Sequence, residues 1–354
     1  MSHPYITVEV RGDHRAVGRA VGEAAREQIA AAVDFYSAAL PALASLSFAE
    51  AERAVWPHIE CARQVTPQIV AELEGTAEGS GTTLWQVAVL TCGEELTCAG
   101  DPAQHCTTLA ICGDGQAVVG HNEDWYAGDV DANVLVRATL PDGTTFLSMT
   151  AAGYLPATGI SSWGIAGGAN TLFSDDARVG VPNLVLRRWA LEARTLEAVH
   201  ERCCHPLRAR GSNHLSADRH GRILNVETSG TAHADLRLSS SDGTVWYAHT
   251  NRYLAPELAD HEVSTSVNSV RRLDRARELL GQSALPGADF VSIAGRVLRD
   301  HATAPDSICG HPDPHLPPEE REMTCASQVW DLIGGRMHVC AGPPCESEYE
   351  VVSL

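Results

Sequence analysis

The stretch QHCTTLAICGDGQAVVGHNEDW, residues 104–125, lies about a third of the way along a 354-residue chain. Two apolar-rich runs, CTTLAIC and QAVVGHNED, flank Gly113-Asp114-Gly115. Gly and Asp between such runs mark a tight turn, so the stretch reads as a β-hairpin. A cysteine opens its first strand and an Asn-Glu-Asp run closes its second. By its chemistry Cys106 can be core filler, a metal ligand or a nucleophile, since unpaired cysteine is among the most buried residue types.

Upstream, residues 5–10 (YITVEV) alternate like a strand, and the next ninety residues carry apolar positions at helical spacing. Ser47 and the pair Thr66-Pro67 stand where helix starts are expected. Downstream, NVLVRATLPDGTTFLSMTAAG repeats the hairpin design around Pro-Asp-Gly. TGISSWGIAGGANTL then reads as a glycine-rich strand against which something packs closely. Two helical stretches run through VPNLVLRRWALEARTLEAVHERC, and strands return in NHLSADRHGRILNVETSG and GTVWYAHTN. SVNSVRRLDRARELLG and ADFVSIAGRVLRDH read as helices, and TCASQVWDLIGGRMHVCAG as a last hairpin. This order implies an α+β fold with two sheets packed face to face and flanked by helices. It divides into a mostly helical segment, 1–105, and a portion beginning at Cys106, 106–354, the two packing as one unit.

Composition removes several chemistries. All 26 basic residues other than histidine are arginine. There is thus no lysine for a Schiff base, a phosphate-binding loop or a Ser-Lys dyad. A net charge of −19 argues against a nucleic-acid partner and suits small cationic molecules. No basic start followed by an apolar run opens the chain, and no apolar run approaches the roughly 18 residues of a membrane span. The expectation is a cytoplasmic protein without a membrane partner. The 11 cysteines are irregularly spaced without a CxxC pair and read as free thiols. HERCCHPLRARGSNH, residues 200–214, lacks a second ligand pair at finger-like spacing, so neither a metal nor another cofactor is expected.

Beyond the hairpin, six segments in order resemble the isopenicillin N acyltransferase family of N-terminal-nucleophile hydrolases. They are RGDHRAVGRAVGEAAREQI, HCTTLAI, GHNEDW, GVPNLVLRRWALEA, YAHTNRYL and DSICGHPD. The resemblance implies a four-layer αββα sandwich. It also implies self-cleavage of the His105–Cys106 bond, which frees an α-amine to act as base for the Cys106 thiol. Asp124 then matches the acidic residue that positions that amine and thiol, and Asn251 the amide that stabilises a tetrahedral oxyanion. Thr108, His121, Asn122, Glu123 and His311 are carried as residues positioning the site or its substrate. The family's late Ser-Ile-Cys-Arg motif reads Ser-Ile-Cys-Gly here, with Gly310 in the place of arginine. The missing positive charge must then come from elsewhere, and His311, Arg321 and His121 are the candidates.

The implied activity is an amidohydrolase or acyltransferase working on a small-molecule amide or acyl thioester through an S-acyl Cys106, with a homodimer as the assembly considered. The other readings are an unprocessed member using Cys106 for another acyl transfer or a cyclisation, and a non-catalytic small-molecule binder.

Overall fold

The computed structural model describes residues 5–97 and 106–354, apart from 265 and 286. The chain opens with β1 (Ile6–Arg11) and six helices: α1 (His14–Ala24), α2 (Arg26–Leu43), α3 (Phe48–Val65), α4 (Pro67–Ser80), α5 (Leu84–Thr91) and α6 (Gly93–Leu96). Ser47 caps α3 in a reciprocal capping box with Glu50, and Pro67 occupies the first turn of α4, as the start signals require. The hairpin follows as β2 (Cys106–Gly113) and β3 (Gln116–Tyr126). Its turn places Asp114 and Gly115 at φ of 49° and 72°, the left-handed region that Gly and Asp tolerate.

Next come β4 (Asn133–Thr139), β5 (Thr145–Ala151), β6 (Gly159–Ser161) and β7 (Ile165–Thr171), then α7 (Asn183–Ala190) and α8 (Leu196–Cys203). The run expected to form one glycine-rich strand is therefore a further hairpin, β6–β7. Its chain reverses at Ser162-Trp163-Gly164, where Gly164 has φ of 71°. The remaining elements are β8 (Ser212–Asp218), β9 (Arg222–Thr228), β10 (His233–Ser239), β11 (Val245–His249), α9 (Val267–Ser283), α10 (Phe290–Leu298), β12 (Glu322–Asp331), β13 (Arg336–Ala341) and β14 (Glu350–Ser353).

The strands form an eight-stranded sheet, ordered β1-β4-β5-β6-β7-β8-β9-β10, and a six-stranded sheet, ordered β11-β2-β3-β12-β13-β14. Among the described strands, β1–β4 is the parallel pair and the others run antiparallel. The inner faces meet in one core, where Ala110, Val119 and Trp330 of the smaller sheet pack with Leu135, Met149 and Leu215 of the larger. Helices α9 and α10 cover the outer face of the smaller sheet through Leu273, Ala276, Phe290 and Val297. On the far side α1 packs on β1, β4 and β5, and α8 packs on β9. The molecule is a four-layer αββα sandwich with a helical N-terminal segment. Among the described residues every cysteine is free and no single helix is long and apolar enough to cross a membrane.

Candidate active site

Strand geometry sorts the site. Cys106 pairs with Glu123, Thr107 with Asn122, and Thr108 with His121. Successive side chains on a strand point to opposite faces. Cys106, Thr108, His121 and Glu123 therefore face the larger sheet, while Thr107, Asn122 and Asp124 face the α9–α10 layer. The close packing expected of the glycine-rich segment is located here. A Cβ on Gly168 of β7 would lie 2.8 Å from His121 Nδ1, so only glycine lets that backbone approach.

Between the sheets the polar groups form a line. Thr108 Oγ1 and His121 Nδ1 are 2.8 Å apart. His121 Nε2 lies 3.1 Å from Glu123 Oε1, off the line of a hydrogen bond. Thr158 Oγ1 donates to the same carboxylate oxygen at 2.8 Å. The other oxygen, Glu123 Oε2, faces the Cys106 thiol, the nearest approach being 3.9 Å. Burial opposes ionisation of Glu123, but His121, Thr158 and Arg187 together hold it below the ordinary carboxylate value. Burial, with the Glu123 and Asp124 charges, pushes the Cys106 thiol well above its usual value. Around it remains a space of about 30 Å³, bordered by Glu123, Trp125, Tyr154, Thr158 and Arg187 and large enough for water.

The Cys106 main chain is held on both sides. Its N–H donates to Asn251 Oδ1 at 2.8 Å. Its carbonyl accepts from Asn170 Nδ2 at 3.0 Å and from Arg272 Nη1 at 2.6 Å. Arg272, fully buried on α9, also donates to Thr107 Oγ1 at 2.9 Å and Asn251 Oδ1 at 3.0 Å. Asn251 turns its Nδ2 to the Thr171 carbonyl, 3.2 Å away.

Across β3, Asp124 Oδ1 accepts from Thr324 Oγ1 at 2.6 Å, beside an irregularity where β12 shifts register between Thr324 and Ala326. Burial pushes Asp124 up to about 8, against the pull of Arg272. Gly310 joins this chain, because its N–H donates to Thr324 Oγ1 at 2.9 Å. A cleft of about 530 Å³ opens here, lined by Asp124, Arg272, Gly310, His311, Glu322 and Met323 among others.

The three candidates for the missing charge take different places. Arg321 spends its guanidinium on the Leu316 and Pro314 carbonyls, while His311, with Nε2 3.2 Å from Cys345 Sγ, lines the same cleft as Asp124. His121 does lie in the inter-sheet line. The guanidiniums beside Cys106 are those of Arg272, at its carbonyl, and Arg187, bordering the space at its thiol, and the sequence reading passed over both. Asn122 lies on the outer face of β3, within its own strand's packing. Its amide donates to the Leu298 and Ile308 carbonyls, clamping β3 to the segments at and beyond the end of α10. His105, and with it the expected cleavage bond, lies outside the described residues. For a metal, Cys106, His121 and Glu123 offer three donor atoms within 4.8 Å of one another, one fewer than a closed zinc site takes.

The profile of the acyl-coenzyme A:6-aminopenicillanic acid acyl-transferase family matches residues 112–345, about two thirds of the chain. The chain belongs to this family. A curated relative, the acyl-coenzyme A:6-aminopenicillanic-acid acyltransferase 40 kDa form of Emericella nidulans, is 23% identical over 341 residues, covering 95% of this chain and 92% of its own. Among solved structures, penicillin V acylase from Agrobacterium tumefaciens aligns at 14% identity and a TM-score of 0.46, over 66% of this chain and 82% of its own. A mutant conjugated bile acid hydrolase from Clostridium perfringens aligns at 12% identity and a TM-score of 0.42, over 70% and 97%. The family profile begins six residues past Cys106, and the alignment with the acyltransferase relative runs nearly the whole length of both chains.

Proposed function

We propose that this member of the acyltransferase family is a self-processing cysteine amidohydrolase or acyltransferase acting on a small molecule through Cys106. The observation that carries the reading is the placement of Cys106. It is the first residue of β2, with its N–H and C=O both fixed and its thiol turned towards an ionised carboxylate.

In the intact chain no α-amine exists at Cys106, and Glu123 is the carboxylate facing the thiol. In the first step Sγ attacks the His105 carbonyl carbon while Glu123 takes the thiol proton. The C–N bond then breaks, the leaving nitrogen takes a proton, and a thioester remains. Water hydrolyses that thioester, leaving a carboxylate on residue 105 and a free thiol and α-amine on Cys106. The amine, with a reference pKa of about 7.7–8.0, then serves as base in turnover. The roughly 30 Å³ beside the thiol admits water and no acyl substrate, so the intact chain fits the role of precursor.

In turnover the thiol accepts the acyl group of an amide or thioester and passes it to water or to an amine. The relative's name pairs acyl-coenzyme A with an amine acceptor, and water is the default acceptor wherever it is not excluded. The cleft carries Asp306, Asp313, Glu320 and Glu322, which favours a cationic amine partner.

Intact-mass spectrometry of the purified chain tests the reading. The expected result is two fragments, 1–105 and 106–354, replaced by one full-length species in Cys106→Ala. Fragmentation in Cys106→Ala, or full turnover of an identified amide by that variant, would refute it.

A further inference from the structure

The run of residues 200–214 lacks a second ligand pair along the sequence, and the fold supplies one from β10. His200 and Cys204 stand one turn apart at the end of α8, on the same face. His233 and Asp235 are two residues apart on β10, again on one face. We propose that His200, Cys204, His233 and Asp235 form a structural binding site for zinc or a similar divalent transition-metal ion.

The separations carry the proposal. His200 Nε2 lies 3.6 Å from Cys204 Sγ and 3.3 Å from Asp235 Oδ1. Tetrahedral zinc, with Zn–S of about 2.3 Å and Zn–N or Zn–O of about 2.0–2.1 Å, separates sulfur from nitrogen by about 3.6 Å and nitrogen from oxygen by about 3.4 Å. The donor atoms of His200, Cys204 and His233 all fall within 4.8 Å of one another, and the two imidazoles stand edge to face at 5.5 Å. Two tetrahedral edges, both at His200, are therefore already close to their bonded lengths; Asp235 stands outside the mutually close trio, and rotation of the exposed His233 and Asp235 side chains completes the four corners.

The rest of the site agrees. Asp235 Oδ2 accepts from Arg237 Nε at 3.0 Å, which orients the carboxylate and leaves Oδ1 for the ion. One thiolate, one carboxylate and two neutral imidazoles balance the charge of a dication, the thiol proton leaving to solvent as the ion binds. With Asp235 swung in, protein donors would fill all four positions, the pattern of a structural rather than a catalytic zinc site. Its effect is mechanical. The ion would tie the helix layer at α8 to β10, the edge strand of the eight-stranded sheet.

The test uses the full-length chain, stripped of metal and titrated with cobalt(II) alone. It carries Cys345→Ser, because Cys309, His311 and Cys345 form a separate three-donor cluster. The expected result is tetrahedral ligand-field absorption with a thiolate-to-cobalt band, displaced by zinc, and a zinc-dependent rise in melting temperature. Cys204→Ser should abolish the thiolate band. Changing the exposed His233 to alanine should weaken binding by more than about 100-fold, since even second-shell losses cost 10–100-fold, and erase the zinc-dependent rise. Absence of tetrahedral cobalt, or unchanged affinity in both variants, would overturn the site.

Discussion

Glu123 and Asp124 are sequence neighbours given opposite characters by strand alternation. Glu123 turns inward to His121 and the thiol and stays ionised; Asp124 turns outward into burial and holds its proton. Glu123→Gln keeps the shape and removes the acceptor. Self-cleavage is then expected to slow by at least about 100-fold, the usual worth of a general base, with precursor accumulating on denaturing gels. Cleavage at the normal rate would remove Glu123 from the mechanism. For Asp124 the folded value of about 8 stands above the unfolded value of 3.8. Between them the folded state binds the extra proton, so this group's contribution to stability is complete below pH 3.8 and is lost as pH rises towards 8. Urea midpoints of the wild type should fall between pH 5 and 8 more steeply than those of Asp124→Asn; parallel profiles would contradict the shift. Gly310 faces no steric demand, because an added Cβ meets only ordinary contacts at 3.4–3.5 Å. Gly310→Ala should therefore change stability by no more than about 0.5 kcal/mol, and a larger loss in chemical denaturation would show that the glycine is structural.

At the scale of elements, α1 and α4 meet backbone to backbone. A Cβ on Gly18 would lie 1.9 Å from the Glu72 carbonyl oxygen, and one on Gly75 would lie 2.1 Å from that of Arg15; Gly22 and Gly79 repeat the contact one turn on. Gly18→Ala or Gly75→Ala must push the helices apart and is expected to cost about 1–3 kcal/mol or more. Gly93→Ala, which meets open space, should be close to neutral in the same denaturation series. The hairpins with Gly-Asp-Gly and Pro-Asp-Gly turns were legible because their turn residues demand a particular backbone. The β6–β7 hairpin was not, since its three-residue turn lies inside a run that is glycine-rich throughout. β10 escaped because it is an edge strand whose residues are mostly exposed, leaving no apolar alternation to read. Arg272 escaped for a different reason. Spacing on α9 was read from apolar residues, yet the buried stripe runs Ser269, Arg272, Leu273, Ala276, Leu280, with an arginine inside it. A charge within an apolar stripe is itself a signal, because such a group must find buried partners. Those partners, Cys106 and Asn251, are far away in sequence and only the fold brings them to it.

Across the whole molecule, the residues before and after Cys106 share one interior. β1 pairs with β4, and Leu40, Ile59 and Leu73 pack with Leu155, Val185 and Leu186. Two buried ion pairs also span the divide. Arg188 grips Glu72 through Nε and Nη2 at 2.9–3.1 Å, and Arg187 bonds Glu94 at 2.8 Å. Cutting one peptide bond breaks none of these contacts, so the proposed fragments should remain together. Cleaved protein is expected to elute from gel filtration at the size of the intact chain, while resolving into two bands under denaturing conditions. Loss of the smaller fragment on a native column would mean that the interface cannot hold without the covalent link. Glu72→Ala provides the graded version, because it leaves the Arg188 guanidinium buried without its main partner. Removing one member of such a pair typically costs about 3–5 kcal/mol. In the intact chain that loss appears as a lower unfolding midpoint. In the cleaved protein the same loss falls on association as well, so the fragments should separate at a lower urea concentration than in the wild type and become dependent on protein concentration.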